Sequence, residues 1–348
     1  MPSHLSSSEQ SAAALKVIRV GVVGLGVGEA HLRSYQAIPG CEVIAICDIN
    51  PERLAEIGDR YDVSGRSVDF RRVTEHPDID LVSICSYDDA HAEQLVSALD
   101  HGKHVMIEKP FVLHRHEAEK VLRSFENANR FITSNLILRK SPRFAAVKRM
   151  VESGEMGEIF HIEGDYLHQI LWKILEGWRG KMDFYCTVYG GGIHLIDLMR
   201  WIMGQEVTEV CAMGSGVLTR GSSYRWPDTI TGLLKWEHGA TGKCTTTLGP
   251  QRTKFHSLNV FGTLKTFVND MPNAKLFTGD DPEKDEQVMD VPYPAIEKGD
   301  LLPDFVEGIR IGRKPQINEI DIFRVMDVCF AIWEAVEKRS TVKVTRLI

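Results

Sequence analysis

Three short stretches carry residues whose types and spacing could do chemistry. The first is His104–Pro110, His-Val-Met-Ile-Glu-Lys-Pro. Val105, Met106 and Ile107 form an apolar run of the kind buried on both faces of a parallel sheet. It ends in two opposite charges, Glu108 and Lys109. Pro110 has no N–H to continue a ladder and steers Lys109 away from helical conformation. A lysine is thereby presented at the carboxyl end of a strand, the edge where open α/β sheets bind ligands. Taken alone, the pair could equally be the first solvated residues after a strand. The second stretch is Gly190–Trp201, GGGIHLIDLMRW. Its three glycines permit close backbone approach, and the following helix places His194 and Asp197 one turn apart on one face, with Trp201 continuing that face. A lone helical histidine is ordinarily a satisfied core residue. One that opens a helix directly after a glycine run is a candidate proton acceptor. The third stretch is Gly24-Leu25-Gly26-Val27-Gly28, which follows the strand-like KVIRVGVV and precedes a helical segment from Glu29. Strand, glycine turn and helix form the setting of a dinucleotide fingerprint, with backbone N–H groups and the helix dipole facing a pyrophosphate. Glu29 holds the third-glycine position of G-x-G-x-x-G and Gly28 comes one place early, so the turn is expected to be one residue shorter.

The elements needed to position these residues can be read in order. Glu42–Cys47 is a second strand ending at Asp48, 22 residues after Gly26, the spacing of an acid that accepts ribose hydroxyls. A carboxylate there would repel a 2′-phosphate, which favours NAD over NADP; Asp48 also suits the start of the helix at Pro51. Asp80–Cys85 is a further strand, leading to Ser86, Tyr87, Asp88 and Asp89 and then a helix beginning Ala90-His91. The repeat predicts a doubly wound parallel sheet, whose right-handed crossovers bring Gly24, Asp48, Ser86 and Lys109 to one edge. After a helix over 114–129 and a strand over Phe131–Leu138, the texture changes. Alternating patterns over 158–169, 207–217, 229–237, 240–248 and 257–261 predict a mainly antiparallel sheet with one covered face. Two helices over 300–337 and a short strand at 342–344 complete the chain. The expected organisation is a flexible tail over 1–15, a dinucleotide-binding domain over 16–134, and an α+β domain with a large open sheet over 135–348, whose last segment could pack back on the first domain. An exposed one-sided sheet needs a cover, so a homodimer or homotetramer is expected.

GVVGLGVG, the strand end at Asp48, DLVSICSYDDAHAE and above all GKHVMIEKP together resemble the Gfo/Idh/MocA family of glucose–fructose oxidoreductase and inositol dehydrogenase relatives. The resemblance spans nearly the whole chain. It implies a Rossmann fold and an oxidoreductase that moves a hydride between NAD and a hydroxyl or keto carbon of a sugar, nucleotide sugar or cyclic polyol. It implies that Lys109 contacts both cofactor and substrate, that Pro110 is cis, and that His91 is the histidine following the fourth strand. The motif I-H-x-x-D-x-x-R-W matches Ile193, His194, Asp197, Arg200 and Trp201. The family often carries an aspartate four residues before that histidine; here the place is Gly190, so the Lys–Asp–His set is incomplete. On this reading His194 is the base, Lys109 stabilises the substrate oxygen, Glu108 holds Lys109, and Asp197 orients His194 or binds substrate. Two other readings stay open: a redox-neutral, NAD-dependent glycoside hydrolase, and a non-catalytic dinucleotide-binding regulator.

Other features set limits. Trp172, Trp178, Arg179 and Lys181 form an aromatic–basic segment; Trp178 could stack on a sugar face and Arg179 could bind a phosphate or carboxylate. Asn135 and Arg139 could reach the cleft. His101, His104, His114 and His116 look like solvated residues, and no His/Cys/carboxylate spacing resembles a metal cluster. The 348 residues fit two domains. A net charge of −7, from 41 basic and 48 acidic residues, argues against nucleic acid or an anionic membrane as partner. No apolar run approaches the roughly 18 residues of a membrane span, and Met1–Leu15 lacks the basic start and apolar core of a secretory signal. Seven cysteines, an odd number without Cys-x-x-Cys, predict reduced thiols in a cytoplasmic protein.

Overall fold

Strands and helices alternate through the first third of the chain. The computed structural model describes residues 16–348; the tail expected over 1–15 lies outside the described residues. The first sheet uses β1 (Ile18–Val23), β2 (Cys41–Cys47), β3 (Gly65–Ser67), β4 (Leu81–Ile84), β5 (His104–Ile107) and β6 (Ile132–Ser134). All pair in parallel, in the order β3-β2-β1-β4-β5-β6. The connecting helices are α1 (Gly28–Ala37), α2 (Pro51–Arg60), α3 (Arg71–Thr74), α4 (His91–Asp100) and α5 (Arg115–Ala128). The strands are short and almost wholly apolar because both faces are covered; Val22, Ile46, Leu81, Val105 and Ile107 have no exposed surface. Asn50 starts α2, its side chain accepting from the N–H of Glu52 and Arg53, and Pro51 occupies the first turn. Such a cap contributes about 1 kcal/mol.

The strand expected over Phe131–Leu138 is shorter. Only Ile132–Ser134 pairs, against Val105–Ile107, and it stops where β5 turns into Glu108. Ile137–Lys140 is instead a 3₁₀ turn leading into α6 (Pro142–Glu152).

The second sheet has nine strands: β7 (Ile159–Leu167), β8 (Val207–Ser215), β9 (Thr229–Trp236), β10 (Thr241–Thr247), β11 (Phe255–Gly262), β12 (Thr266–Val268), β13 (Ala274–Phe277), β14 (Glu286–Met289) and β15 (Val342–Lys343). Its order is β14-β13-β12-β11-β7-β10-β9-β8-β15. The pairing is antiparallel except between β7 and β10. Strands β12 to β14, three or four residues each, are too short to show an alternation that sequence reading could detect. The chain also contributes α7 (Trp172–Leu175), α8 (Ile193–Met203), α9 (Leu302–Ile311) and α10 (Glu319–Lys338). Ile162, Gly164 and Tyr166 of β7 are buried while His161, Glu163 and Asp165 are not. The buried face packs on α8 and α10 through residues such as Leu195 and Ile332. The other face carries a polar ladder in which Lys243 lies 3.5 Å from Glu163 and 3.2 Å from Asp165. Among the described residues the cysteines are free thiols, with Cys211 exposed, Cys41 half-buried and the other five buried.

Candidate active site

A cavity of about 710 Å³ lies between the carboxyl edge of the parallel sheet and the first strands of the second domain. It falls within the range of small-molecule and cofactor sites. Gly24, Gly26, Val27, Asp48, Ser86, Glu108, Lys109, Trp178, Arg179 and His194 all line it. Residues 85 apart in sequence, Lys109 and His194, therefore meet in one space.

The glycine turn is built as the fingerprint requires, one residue early. Gly24 takes φ +84° and lies so near Cys85 and Ser86 that a Cβ would fall 2.6 Å from their backbone atoms. Beyond Gly26 there is open space, since an added Cβ would meet no atom within 4 Å. That opening at a helix N-terminus fits the pyrophosphate of a dinucleotide. Two members of the expected set do not face the cavity. Leu25 is fully buried and its N–H donates to Asp48 Oδ2 at 2.7 Å. Gly28 begins α1 and packs on Val22 and Cys85, where a Cβ would come within 2.9 Å of Val22. It is the glycine that lets helix approach strand, the role of the third glycine in the longer motif. Asp48 lines the cavity, but both oxygens already accept backbone N–H groups, from Leu25 and from Asn50 at 2.9 Å. Each keeps a lone pair for a ribose hydroxyl.

Lys109 is the first residue past Glu108 and forms a cis peptide with Pro110. Its Nζ donates to the carbonyl of Gly190 at 2.6 Å. Gly190 lies in a turn of π-helix, Val188–Gly192, that runs into α8; such widened turns recur at functional sites. An aspartate at 190 would have to displace the Tyr185 side chain. A Cβ there would lie 2.0 Å from the Tyr185 hydroxyl oxygen and 2.9 Å from Cζ. The Tyr185 phenol, which also lines the cavity, fills the space an acid at 190 would need.

Burial, and then the positive charge of Arg179, push the Lys109 ammonium down to about 7. His194 is only 8 % exposed. Burial and the Lys109 charge hold its ring well below the ordinary histidine range, so it is neutral. Its Nδ1 is buried without a partner. The ring lies beside Tyr166, centroids 6.4 Å apart, and Tyr166 hydrogen-bonds His168 Nδ1 at 3.0 Å.

Three expected roles are corrected by geometry. Asp197 neither orients His194 nor faces the cavity. It is fully buried, turned away from the cavity into a bidentate ion pair with Arg139, Nε–Oδ2 2.9 Å and Nη2–Oδ1 2.5 Å. Arg139, considered for the cleft, is thereby consumed, and it also holds Asp321. Glu108 does not grip the Lys109 ammonium. Its carboxylate accepts from Asn135 Nδ2 at 2.6 Å and lies near His31 and Lys298. Burial would raise its pKa, but Lys298, His31 and Lys109 keep it well below the usual range. His91 is fully buried outside the cavity, Nδ1 facing the Pro110 carbonyl at 2.7 Å and Nε2 the Ser86 carbonyl at 3.2 Å. It ties together the two loops that carry Ser86 and Lys109.

The aromatic–basic segment does reach the cavity. Trp178 stacks on Tyr87 with centroids 4.3 Å apart, the Arg179 guanidinium lies 4.1 Å over Trp178, and its Nη2 is 3.5 Å from Asp88. These contacts bridge the two domains. Tyr166, His168, Lys173, Tyr185, Lys254 and Lys298 also line the wall and had no motif to mark them.

Comparisons with known proteins identify the family. Residues 18–136 match the model of an oxidoreductase family with an NAD-binding Rossmann fold, and residues 144–268 match the GFO/IDH/MocA C-terminal domain. The chain belongs to the Gfo/Idh/MocA family. It is an oxidoreductase, and its first domain binds NAD. Myo-inositol 2-dehydrogenase of Thermotoga maritima is 24% identical over 95% of this chain and 100% of its own. A glycosyl hydrolase family 109 protein of Porphyromonas gingivalis is 27% identical over 65% of this chain and 54% of its own. Among solved structures, levoglucosan dehydrogenase in complex with NADH superposes with a TM-score of 0.85 at 23% identity, covering 95% of this chain and 100% of that one. The fold of that structure therefore extends over nearly all of the chain.

Proposed function

We infer that the protein oxidises a secondary hydroxyl of a sugar or polyol with NAD, or reduces the corresponding ketone with NADH. The observation that carries this reading is Lys109 and His194 facing one cavity whose other end is the open glycine turn. NAD, when bound, supplies the hydride acceptor. Gly24, Gly26 and Val27 would hold its phosphates, Asp48 its ribose, and Ser86 and Lys109 would lie along its path.

As the hydroxyl carbon is oxidised, its proton must leave. The electrostatics favour Lys109 over His194 as acceptor, the reverse of the division drawn from sequence. A base works best with a pKa near the working pH, and Lys109 sits at about 7. The neutral His194 ring then hydrogen-bonds the same oxygen and fixes its position. Gly190, through its carbonyl, orients the Lys109 amine. Trp178 and Arg179 pack on Tyr87 and Asp88 and so hold the second domain's wall of the site against the first.

The deciding experiment is NAD-dependent turnover of a sugar and polyol panel, followed at the nicotinamide absorbance. Growth of reduced cofactor with one or more sugars supports the reading. Product formation from glycosides with no net absorbance change supports the second reading, transient oxidation in a glycoside hydrolase, which the likeness to the Porphyromonas gingivalis protein favours. Cofactor binding without any chemistry would leave the regulator reading.

We also propose a homodimer or homotetramer through the open sheet face, supported by the exposure of Met213 (79 %) and Leu233 (58 %) on its strands. The cytoplasm is proposed as compartment because the cysteines are unpaired thiols. No helix among the described residues is long and apolar enough to cross a membrane.

A further inference from the structure

Proton transfer needs one lysine, yet the cavity holds several more cations than that. Lys109, Lys173, Arg179, Lys254 and Lys298 all line it. The acids on the same wall are largely committed. Asp88 faces Arg179 at 3.5 Å, and Glu108 faces Lys298 at 3.7 Å while accepting from Asn135. Asp89 is exposed beside Asp88, and Asp48 serves the glycine turn at the far end. Lys173 and Lys254 have no ion-pair partner among the described residues. The charges that act on them are other cations: Arg179 and Lys298 on Lys173, Lys298 and Lys173 on Lys254. Both face the histidine end, where Lys254 and Lys173 act on His168, and Lys298 and Lys254 act on His194.

Lys254 and Lys298 are exposed at the mouth of the cavity and Lys173 is half-buried; like charges gathered at one opening repel one another and favour an anion that neutralises them. The pyrophosphate of the dinucleotide cannot serve, because its place is at Gly24–Gly26, across the cavity from the histidines. Resting on the oxidoreductase reading, we propose that the substrate is a carbohydrate oxyanion, a sugar acid or sugar phosphate. Its carboxylate or phosphate is held by Lys173, Lys254 and Lys298 while its reacting hydroxyl meets Lys109 and His194. Arg179 is held back by Asp88 and the Trp178 face, and Lys298 is shared with Glu108, so Lys173 and Lys254 carry most of the recognition. They act as point charges on flexible stems, which suits either anion.

The test uses the full-length protein saturated with NADH. Aldonates, uronates and sugar phosphates are titrated calorimetrically, each beside its neutral parent sugar. At least one acid is expected to bind about tenfold or more tighter than its parent, the scale of one charge-assisted hydrogen bond, and to weaken as salt is added. The carboxylate and phosphate arms identify which anion is preferred. Lys254→Gln and Lys173→Gln, both changes at the cavity rim, are expected to narrow the acid-to-parent ratio severalfold. Equal binding of every acid and its parent, or a ratio unmoved by both variants, overturns the proposal. Anion binding without NAD-linked turnover would instead count against the oxidoreductase reading, and turnover confined to neutral sugars would do the reverse.

Discussion

Replacing Lys109 by arginine separates charge from proton transfer. Arginine keeps a cation at the same strand end but does not release its proton at any working pH. In the wild type, burial and Arg179 bring Lys109 from the ordinary 10.5 to about 7. At neutral pH about half of the amines are then free to accept a proton, against roughly one in 3,000 for an unperturbed lysine. The expected profile for sugar oxidation follows from that fraction. The rate rises about tenfold per pH unit below 7 and flattens above it, because deprotonation creates the base; in the reductive direction the dependence runs the other way. Lys109→Arg is expected to lose about 10² to 10⁴ in turnover, the usual worth of a positioned acid–base group, and to lose the rise near pH 7. The assay is initial-rate formation of reduced nicotinamide between pH 5 and pH 10 with the best sugar of the panel, alongside NADH binding to show that the variant still holds cofactor. A wild-type midpoint near 10, or an arginine variant within a few-fold of wild type with the same profile, would refute the assignment of the proton to Lys109.

Three further outcomes are expected. Gly190→Ala forces its Cβ onto the Tyr185 hydroxyl; overpacking of this kind costs about 1–3 kcal/mol, and turnover should fall as the carbonyl holding Lys109 shifts. Gly190→Ala/Tyr185→Leu should recover part of both losses in urea unfolding and in rate, and a silent single variant would show that the close approach does not matter. Asp197→Ala strands Arg139 with Asp321 alone, so a loss of about 3 kcal/mol is expected. NADH affinity should stay within twofold, and weaker sugar binding with unchanged stability would return Asp197 to the substrate site. Asp48→Ala orphans the N–H groups of Leu25 and Asn50, worth about 1–3 kcal/mol each where buried. Nicotinamide fluorescence should report NADH binding weakened by about tenfold or more and a smaller preference over NADPH; an unchanged preference would leave Asp48 a purely structural role.

Local chemistry in the sequence determined a great deal. The apolar runs and their punctuation defined the parallel sheet, because strands covered on both faces must be continuously hydrophobic. Alternation defined the long strands of the second sheet, because a one-sided sheet must sort its residues by face. Glu108-Lys109-Pro110 placed a lysine at the ligand edge, since proline ends a ladder wherever it falls, and the glycine turn and Asp48 marked a dinucleotide site by spacing alone. Partner choice was decided only in three dimensions. Asp197 shares a helix face with His194 in a one-dimensional count, yet Arg139 from the 3₁₀ turn before α6 reached it first. Glu108 is adjacent to Lys109 in sequence, and adjacent residues at a strand end point to opposite sides, so its carboxylate went to Asn135. Gly190 looked like a missing acid until Tyr185, five residues earlier, was seen to occupy its space. Lys254 and Lys298 belong to no motif, because residues that line a cavity from distant loops share a site without sharing a pattern. Periodicity and turn chemistry are properties of neighbours along the chain, whereas ion pairing and electrostatic tuning depend on which groups the fold brings within a few ångströms.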